Sequence, residues 1–387
     1  MIRGFFLVCA SLLLVQLGQA QTTKTGVLVI GNGSNAIAAS IQSAVSGAKT
    51  VLLLPNPGFV MATPDELPSG ISAELQKRMA ESHSSAAVTL KTWTDTLKNL
   101  TIVRGTDWIK IKRSGGGWNL ELMGGKSIKA VVLVHAEHSG KLSADLQLPK
   151  ITRQWKAFGY DDFMYRTSVA TGKAIGNSSA NVLTFSALML PGQENLVLLD
   201  PEHESLAAGQ AAGATAAYAA FFKTKTSEAK LKVIQGELLN YKLSLLPFAD
   251  ITPADSNWRA IQMVGMSGFL KAELTNGTAY FRPDRPVTME EIREPVKSFY
   301  YKAQIWFDDH KGKDMSLSTT LDMIAYVGGV SLANTTAEVK KNWKKAYHFN
   351  TEFEEKRVVS RREFAVLVNQ YLKPFNMTFD KTGKVLR

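Results

Sequence analysis

The sequence of 387 residues contains one cysteine, Cys9, which lies in an apolar run near the N-terminus. Residues 21–387 therefore have no cysteine, which excludes disulfides, cysteine-ligated metals and a cysteine nucleophile from that part of the chain. They also lack an apolar run of about 20 residues, the length that a transmembrane helix needs. Acidic residues are fewer than basic ones: the sequence has 34 Asp and Glu and 45 Lys and Arg, and the formal net charge is +11.

The first 20 residues have the pattern of an export signal. Arg3 gives a positive start, Phe5–Leu17 is apolar, and Gly18-Gln19-Ala20 predicts cleavage after Ala20. Cys9 lies inside the apolar run, which argues against a lipoprotein. A cysteine-free exported chain is more typical of a bacterial envelope than of a small eukaryotic secreted domain. We therefore expect a bacterial protein that is exported, either periplasmic or secreted.

The composition is that of a globular protein, with 45% hydrophobic and 20% charged residues. The length suggests about two domains. The excess of positive charge favours an anionic partner, such as a cell-wall polysaccharide or another anionic envelope polymer. The lysines are dispersed and no recognition motif accompanies them, so nucleic acid is not expected. A basic surface that is simply solvated is the alternative.

A strand, a glycine-rich turn and a helix open the mature sequence. Thr25–Ile30 is a continuous apolar run, as in a buried parallel strand. Gly31-x-Gly33-x-x-Ala36 follows it and begins a helix, which is the context of the dinucleotide fingerprint. Gly31 allows the tight turn, Gly33 the approach of a pyrophosphate, and Ala36 close helix packing. With Ser34 and Asn35 these residues are the predicted pyrophosphate site; the alternative is a glycine-rich turn that binds nothing.

The second strand, Val51–Leu54, lacks the acidic residue that usually binds a ribose hydroxyl at its end. Leu54 is followed by Pro55 and Asn56, and Asn56 is the only polar candidate there. This absence counts against a dinucleotide cofactor.

Further along, the periodicity predicts helices over 71–83 and 86–98, and then short strands separated by glycines. These strands are Leu100–Val103, Trp108–Lys112, Trp118–Leu122 and Ile128–Val134. A strand, a three-stranded meander and a return to the central sheet is the topology that they predict. Another buried strand is expected at Asn195–Leu199, a small-residue helix at Ala207–Phe222, and mainly helices from Leu231 onward.

In this order the motifs resemble FAD-dependent oxidoreductases of the flavoprotein superfamily, over roughly residues 25–235. The stretch 188–197 and the Ala-rich helix opened by Ala208-Gly-Gln-Ala-Ala-Gly213 are similar to that family. The resemblance implies FAD as cofactor, with Gly209 and Gln210 near the flavin and Asp200 near its ribityl chain or pyrophosphate. The expected fold class is α/β. An FAD/NAD(P)-binding Rossmann-like domain with a β-meander occupies 21–235, and a mostly α-helical domain occupies 245–387.

The chain also departs from that family. Ala136-Glu137-His138 stands where the family has Ala-Thr-Gly, and Leu199 stands where it has a glycine before its aspartate. The segment that would carry a substrate-binding domain is nearly absent. No residue pattern identifies a hydride-transfer site, so the catalytic residues are unknown.

A histidine cluster is one alternative site. Its members are His135, His138 and His203, together with Glu202 and Glu204. Their spacing matches no metal motif. We therefore expect no metal and treat these histidines as surface or loop residues.

The last third resembles S-layer-homology repeats, a family that binds cell-wall polysaccharide. One copy runs from Asp250 to Glu291, and the end of a fainter second copy lies at Val359–Leu367. Met289 replaces the family arginine in the first copy, whereas Arg361 keeps it in the second. Ser360 to Glu363 is also a capping box, so this helix start has a purely structural explanation.

Two functions are therefore open from the sequence. The first is an exported FAD-dependent oxidoreductase-like protein of unknown substrate. The second is a catalytically inactive flavoprotein-fold protein that binds glycan or another envelope component. A nicotinamide dehydrogenase fits less well, because it predicts further βα units where this sequence has a meander.

Overall fold

The computed structural model describes residues 22–56, 58–60, 67–150, 154–172 and 177–386. The predicted signal peptide, with its cleavage point at Ala20, lies outside the described residues. Within the described ranges, no helix has both the length and the apolar character required to cross a bilayer.

The strands of the described residues form three sheets. They are β1 (Thr22–Ile30), β2 (Thr50–Leu54), β3 (Leu100–Arg104), β4 (Trp108–Ser114), β5 (Gly117–Leu122), β6 (Ser127–His135), β7 (Trp155–Ala157), β8 (Ser168–Thr171), β9 (Asn181–Thr184), β10 (Leu196–Leu198), β11 (Glu273–Thr275) and β12 (Thr278–Tyr280).

The helices surround these sheets and form most of the C-terminal third. They are α1 (Ser34–Val45), α2 (Gly70–Ser82), α3 (Ala86–Asp95), α4 (Lys141–Asp145), α5 (Leu206–Phe222), α6 (Leu231–Asn240), α7 (Trp258–Ser267), α8 (Met289–Phe299), α9 (Tyr301–Asp309), α10 (Leu317–Gly328), α11 (Leu332–Asn342) and α12 (Arg361–Tyr371).

The large sheet combines a parallel centre with an antiparallel meander. Its parallel part has the order β3-β2-β1-β6-β10. The strands β4 and β5 continue antiparallel from the first half of β6. Residues 27–30 of β1 are fully buried. Val27 and Val29 pack in the cluster that includes α1 and α5, whereas Leu28 and Ile30 pack in the cluster that includes the meander strands β4 and β5. The predicted fold class is confirmed as a Rossmann-like α/β domain with a β-meander, followed by a mostly helical C-terminal region.

The differences from the predicted elements lie mainly at ends and in short strands. β1 begins at Thr22 because residues 22–25 pair with residues 127–130 of β6. α3 ends at Asp95, three residues before the predicted end. The segment 154–184, whose sequence has weak periodicity, contributes the small antiparallel sheet β7-β9-β8.

Glycines bring α1 and α5 into backbone contact. A Cβ atom on Gly209 would overlap the carbonyl oxygen of Asn35, and one on Gly213 would overlap that of Ala39. Small residues therefore allow α5 to lie directly on the first helix, which places its N-terminus beside the glycine-rich turn.

The C-terminal region contains two similar helix starts. Thr288 with Glu291 and Ser360 with Glu363 each form a complete capping box, at α8 and α12. In each case an arginine six residues before the glutamate pairs with it, at 2.8 Å in both. The two helix starts are thus built alike, whereas the S-layer-homology character of this region stays a prediction.

A β-hairpin, β11-β12, interrupts the helices that the sequence predicts after Leu231. Its turn holds Asn276 and Gly277, both with positive φ (49° and 72°). Asn-Gly between short strands is the usual signal for this hairpin turn, so the sequence does carry a local signal for it.

One cluster of buried apolar side chains runs from β1 through α5 and α6 to α12. The core is therefore continuous between the Rossmann-like part and the helical part. The division into 21–235 and 245–387 remains a prediction.

Candidate functional site

The glycine-rich turn after β1 has the backbone that the fingerprint requires. Gly31 has φ +146°, and a Cβ there would overlap the carbonyl oxygen of Ala136 after β6. Gly33 is the N-cap of α1, with extended backbone and no side-chain cap. The first N–H groups of α1 therefore face a space that favours an anion.

The Glu204 side chain supplies that anion. Its Oε2 accepts a hydrogen bond of 2.5 Å from the backbone N–H of Asn35, in the first turn of α1. A Cβ on Gly33 would overlap the Glu204 carboxylate, so the carboxylate lies directly against the loop backbone. It occupies the place where the fingerprint would put a pyrophosphate, and the positive end of the α1 dipole stabilises it.

His138 holds the other carboxylate oxygen. Its Nε2 lies 2.8 Å from Oε1 of Glu204, and the Glu204 side chain is only 11% exposed. His138 lies in the Ala136-Glu137-His138 segment, which stands where the flavoproteins that the sequence resembles have Ala-Thr-Gly. The contact with Glu204 is therefore made by a residue that departs from that motif.

The Asn35 side chain ties the turn around residues 200–205 to the start of α1. Its Nδ2 donates to the Asp200 carbonyl at 3.0 Å, and its Oδ1 accepts from the Ser205 N–H at 3.1 Å. Asn35 is fully buried. These two bonds fix the position of Glu204, which lies between the two tied residues.

Asp200 is also buried and engaged within its own turn. Its carboxylate accepts from the Glu202 N–H at 3.0 Å and lies 2.7 Å from Nδ1 of His203. Its N–H donates to the side chain of Gln154 at 2.7 Å. The predicted contact of Asp200 with a ribityl chain or pyrophosphate stays a prediction.

Gly209 and Gln210 are held by neighbouring helices. Gln210 is fully buried; its Oε1 accepts from the Ile71 N–H at the start of α2, and its Nε2 donates to Gln42 on α1. Gly209 packs against the Asn35 carbonyl. In this arrangement both residues link helices, and their predicted place near a flavin remains untested.

The remaining predicted site residues divide by exposure. Ser34 and Ala36 are buried in the first turn of α1. Asn56, after β2, is exposed to solvent. No carboxylate replaces the missing acid in the sequence 53–56.

The expectation that all three histidines are surface or loop residues is wrong for His135. It is the last residue of β6 and fully buried, with its Nε2 2.7 Å from the Ser143 hydroxyl. Burial lowers the pKa of His135 to about 4, and the nearby Glu137 opposes this effect. His135 is therefore neutral at pH 7. Among the described residues, no group of three His, Asp or Glu side chains is arranged to hold a metal ion.

The residues present do not fit an FAD pyrophosphate in this arrangement. The Glu204 carboxylate takes both the N–H group of Asn35 and the space beside Gly33. A carboxylate and a pyrophosphate cannot share that space, and two anions there would repel each other.

The sequence matches no family model and no curated protein. Parts of solved structures are similar to parts of this chain. GidA of Aquifex aeolicus is 16% identical over 29% of this chain and 25% of its own, with a TM-score of 0.23. The anhydrotetracycline hydroxylase OxyS of Streptomyces rimosus is 12% identical (34% and 36%, TM-score 0.26), and the thioredoxin reductase of T. acidophilum 20% (30% and 35%, TM-score 0.19). The chain spans about a quarter to a third of the length of these proteins, so their activities are not transferred to it.

The sequence predicts the loop but not the carboxylate that fills it. In the sequence Glu204 follows Glu202 and His203, a pattern that suggests only a metal ligand. Its partners Asn35 and His138 are far away along the chain. The one available signal was negative: the first turn of α1 has no acidic residue and no side-chain cap.

Proposed function

We propose that this chain is a flavoprotein-fold protein that acts by binding a ligand and does not keep FAD as a resident cofactor. The observation that supports this is the Glu204 carboxylate at the start of α1. A dinucleotide would need the same N–H group and the same space beside Gly33. The exposed Asn56 in place of a ribose-binding acid adds support.

The size of the effect follows from the bonds that a dinucleotide would break. A hydrogen bond to a charged group contributes about 1.5–3 kcal/mol. Displacing Glu204 from Asn35 would therefore weaken dinucleotide binding roughly 10- to 150-fold.

The direct experiment is gel filtration of the purified chain after incubation with excess FAD, with flavin absorbance recorded in the protein peak. We expect no retained flavin. Flavin that co-elutes in equimolar amount would overturn the proposal.

A second experiment tests the role of Glu204 itself with ADP, which carries the same pyrophosphate. Glu204→Ala is expected to bind ADP at least about tenfold more tightly than the unmodified chain, measured by calorimetry. Glu202→Ala is the matched control, since Glu202 pairs with Lys150 at the surface and its side chain is 64% exposed. Equal ADP affinity in Glu204→Ala and the unmodified chain would contradict the role given to this carboxylate.

An FAD-dependent oxidoreductase of unknown substrate is the second candidate. It is favoured by the backbone of the turn, because Gly31 keeps the positive φ and the close approach to Ala136 that such sites use. In that case Glu204 would have to leave the loop when FAD binds. Co-elution of FAD with the unmodified chain is the result that this candidate requires.

Export also stands as a proposal, supported by the pattern of residues 1–20. Polysaccharide binding by residues 245–387 has less support. Arg361, the residue that the resemblance would give to the polymer, is fully buried. It donates to the carbonyl groups of Phe281 and Lys271 and pairs with Glu291, so it joins the two repeats to each other.

A further inference from the structure

A cavity of about 830 Å³ lies between the segment after β9, the start of α6 and the C-terminal residues 376–381. This volume is within the range of small-molecule sites. None of its lining residues belongs to the Gly31 turn or to the stretch 200–210. The cavity is therefore separate from the Gly31 turn, and ligand binding in it does not depend on whether FAD binds at that turn.

Apolar side chains form much of the wall. They are Phe185, Met189, Leu190, Leu231 and Phe379. Such a wall favours a ligand with a hydrocarbon or aromatic part, because burying apolar area there contributes about 25 cal/mol per Å².

Lys232, on α6, lines the same cavity. Its Nζ is buried, makes no hydrogen bond within the described part of the chain, and lies 3.9 Å from the ring centre of Phe379 and 4.2 Å from that of Phe375. Burial lowers the pKa of Lys232 well below its usual range, and the nearby Arg166 lowers it further. An unpaired ammonium group in such surroundings is costly, so an anion that reaches it would be stabilising.

Arg166, which lines a neighbouring pocket and not this cavity, is a second buried cation near Phe379. Its guanidinium lies 5.2 Å from the ring centre of Phe379, and its Nε has no hydrogen-bond partner among the described residues. It donates to the carbonyl oxygen of Gly383 at 3.2 Å. The ring centres of Phe163, Phe299 and Phe379 lie 4.6–5.2 Å from this cation. Neither Arg166 nor Lys232 forms an ion pair with a carboxylate of the described residues.

The two acidic residues that line the cavity, Glu194 and Asp380, accept hydrogen bonds from other groups. Glu194 accepts hydrogen bonds from the hydroxyl and N–H groups of Ser227, at 2.8 and 3.3 Å. Asp380 accepts from Thr382 and from the Lys384 N–H within its own turn. Neither Lys232 nor Arg166 therefore has a carboxylate partner among the described residues.

We propose that this cavity binds a small amphiphilic carboxylate, whose apolar part lies along the Phe185 wall and whose carboxylate pairs with Lys232. The flexible four-carbon side chain of Lys232 lets its Nζ turn from the Phe379 ring towards the ligand. A charge-assisted hydrogen bond in a largely apolar site gives both affinity and selection for the charged form of the ligand.

The experiment compares octanoate with octan-1-ol, which share a chain length and differ in charge, by calorimetry at pH 7. The unmodified chain is expected to bind octanoate about tenfold more tightly than octan-1-ol. Lys232→Met is expected to remove this preference while keeping the binding of octan-1-ol. Lys230→Met is the matched control, since Lys230 lines the same cavity but is exposed; it should keep the preference.

Two further variants guard against misfolding as an explanation. Lys232→Arg keeps the positive charge and should retain the preference for octanoate. Met189→Trp adds bulk to the cavity wall and should weaken both ligands. Equal octanoate affinity in the unmodified chain and in Lys232→Met, no preference over octan-1-ol, or no octanoate binding to the unmodified chain would each overturn the proposal.

Discussion

Replacing Gly33 with alanine tests whether the Glu204 carboxylate lies in the phosphate loop. Gly33 has φ −86° and ψ 178°, which alanine adopts without strain. The three atoms nearest to a new Cβ atom would all belong to the Glu204 carboxylate. The methyl group must therefore push that carboxylate away from the N–H group of Asn35.

The expected cost follows from the two effects of the substitution. Losing a charge-assisted hydrogen bond at the start of α1 costs about 1.5–3 kcal/mol. Replacing glycine by alanine in an allowed conformation stabilises the protein by about 0.4–1 kcal/mol, because it lowers the conformational entropy of the unfolded chain. Gly33→Ala should thus lower the free energy of unfolding by about 1–2 kcal/mol. In a Glu204→Ala background the same substitution should be neutral or slightly stabilising.

The assay is a double-mutant cycle, with the free energy of unfolding taken from denaturant titrations at pH 7. The coupling energy between Gly33→Ala and Glu204→Ala should be about 1.5–3 kcal/mol. Gly31→Ala is the comparison, because its Cβ would meet the backbone carbonyl of Ala136 and its φ is +146°. That substitution should be costly with or without Glu204. A Gly33→Ala cost that is the same in both backgrounds would refute the position given to this carboxylate.

Two further predictions concern pH and export. The pKa of His135 is about 4 when folded, against 6.5 when exposed, so between these values only the unfolded chain binds the proton. Stability should therefore fall by about 3 kcal/mol as the pH drops from about 6.5 to about 4, and His135→Gln should lose this part of the dependence in unfolding titrations. An identical pH profile in that variant would show that another group is responsible. For export, the intact mass of chain recovered from the periplasm or medium of a bacterial host should correspond to a start at Gln21; retention of residues 1–20 would contradict the predicted cleavage.

Much of the fold could be predicted because it depends on local periodicity. The apolar run of β1, the turn at Gly31 and the helix α1 follow each other in the order that a parallel sheet requires, and glycines mark the ends of the meander strands. The small sheet β7-β9-β8 could not be predicted, because its strands have three or four residues and are held by packing against α6 and the helical region.

Of the candidate site, the sequence predicted only the backbone conformation. It determined that a tight turn and a helix N-terminus follow β1, because glycines at positions 31 and 33 between an apolar strand and a helix favour that turn. Only the tertiary structure decided that Glu204 would supply the anion at that helix start, because it lies 169 positions from Asn35 in the sequence. It likewise decided that Lys232 and Arg166 would meet at Phe379 without a carboxylate partner among the described residues. The physical reason is the same in both cases. The local sequence determines which groups need a partner, whereas long-range packing determines which charged side chains lie beside those groups.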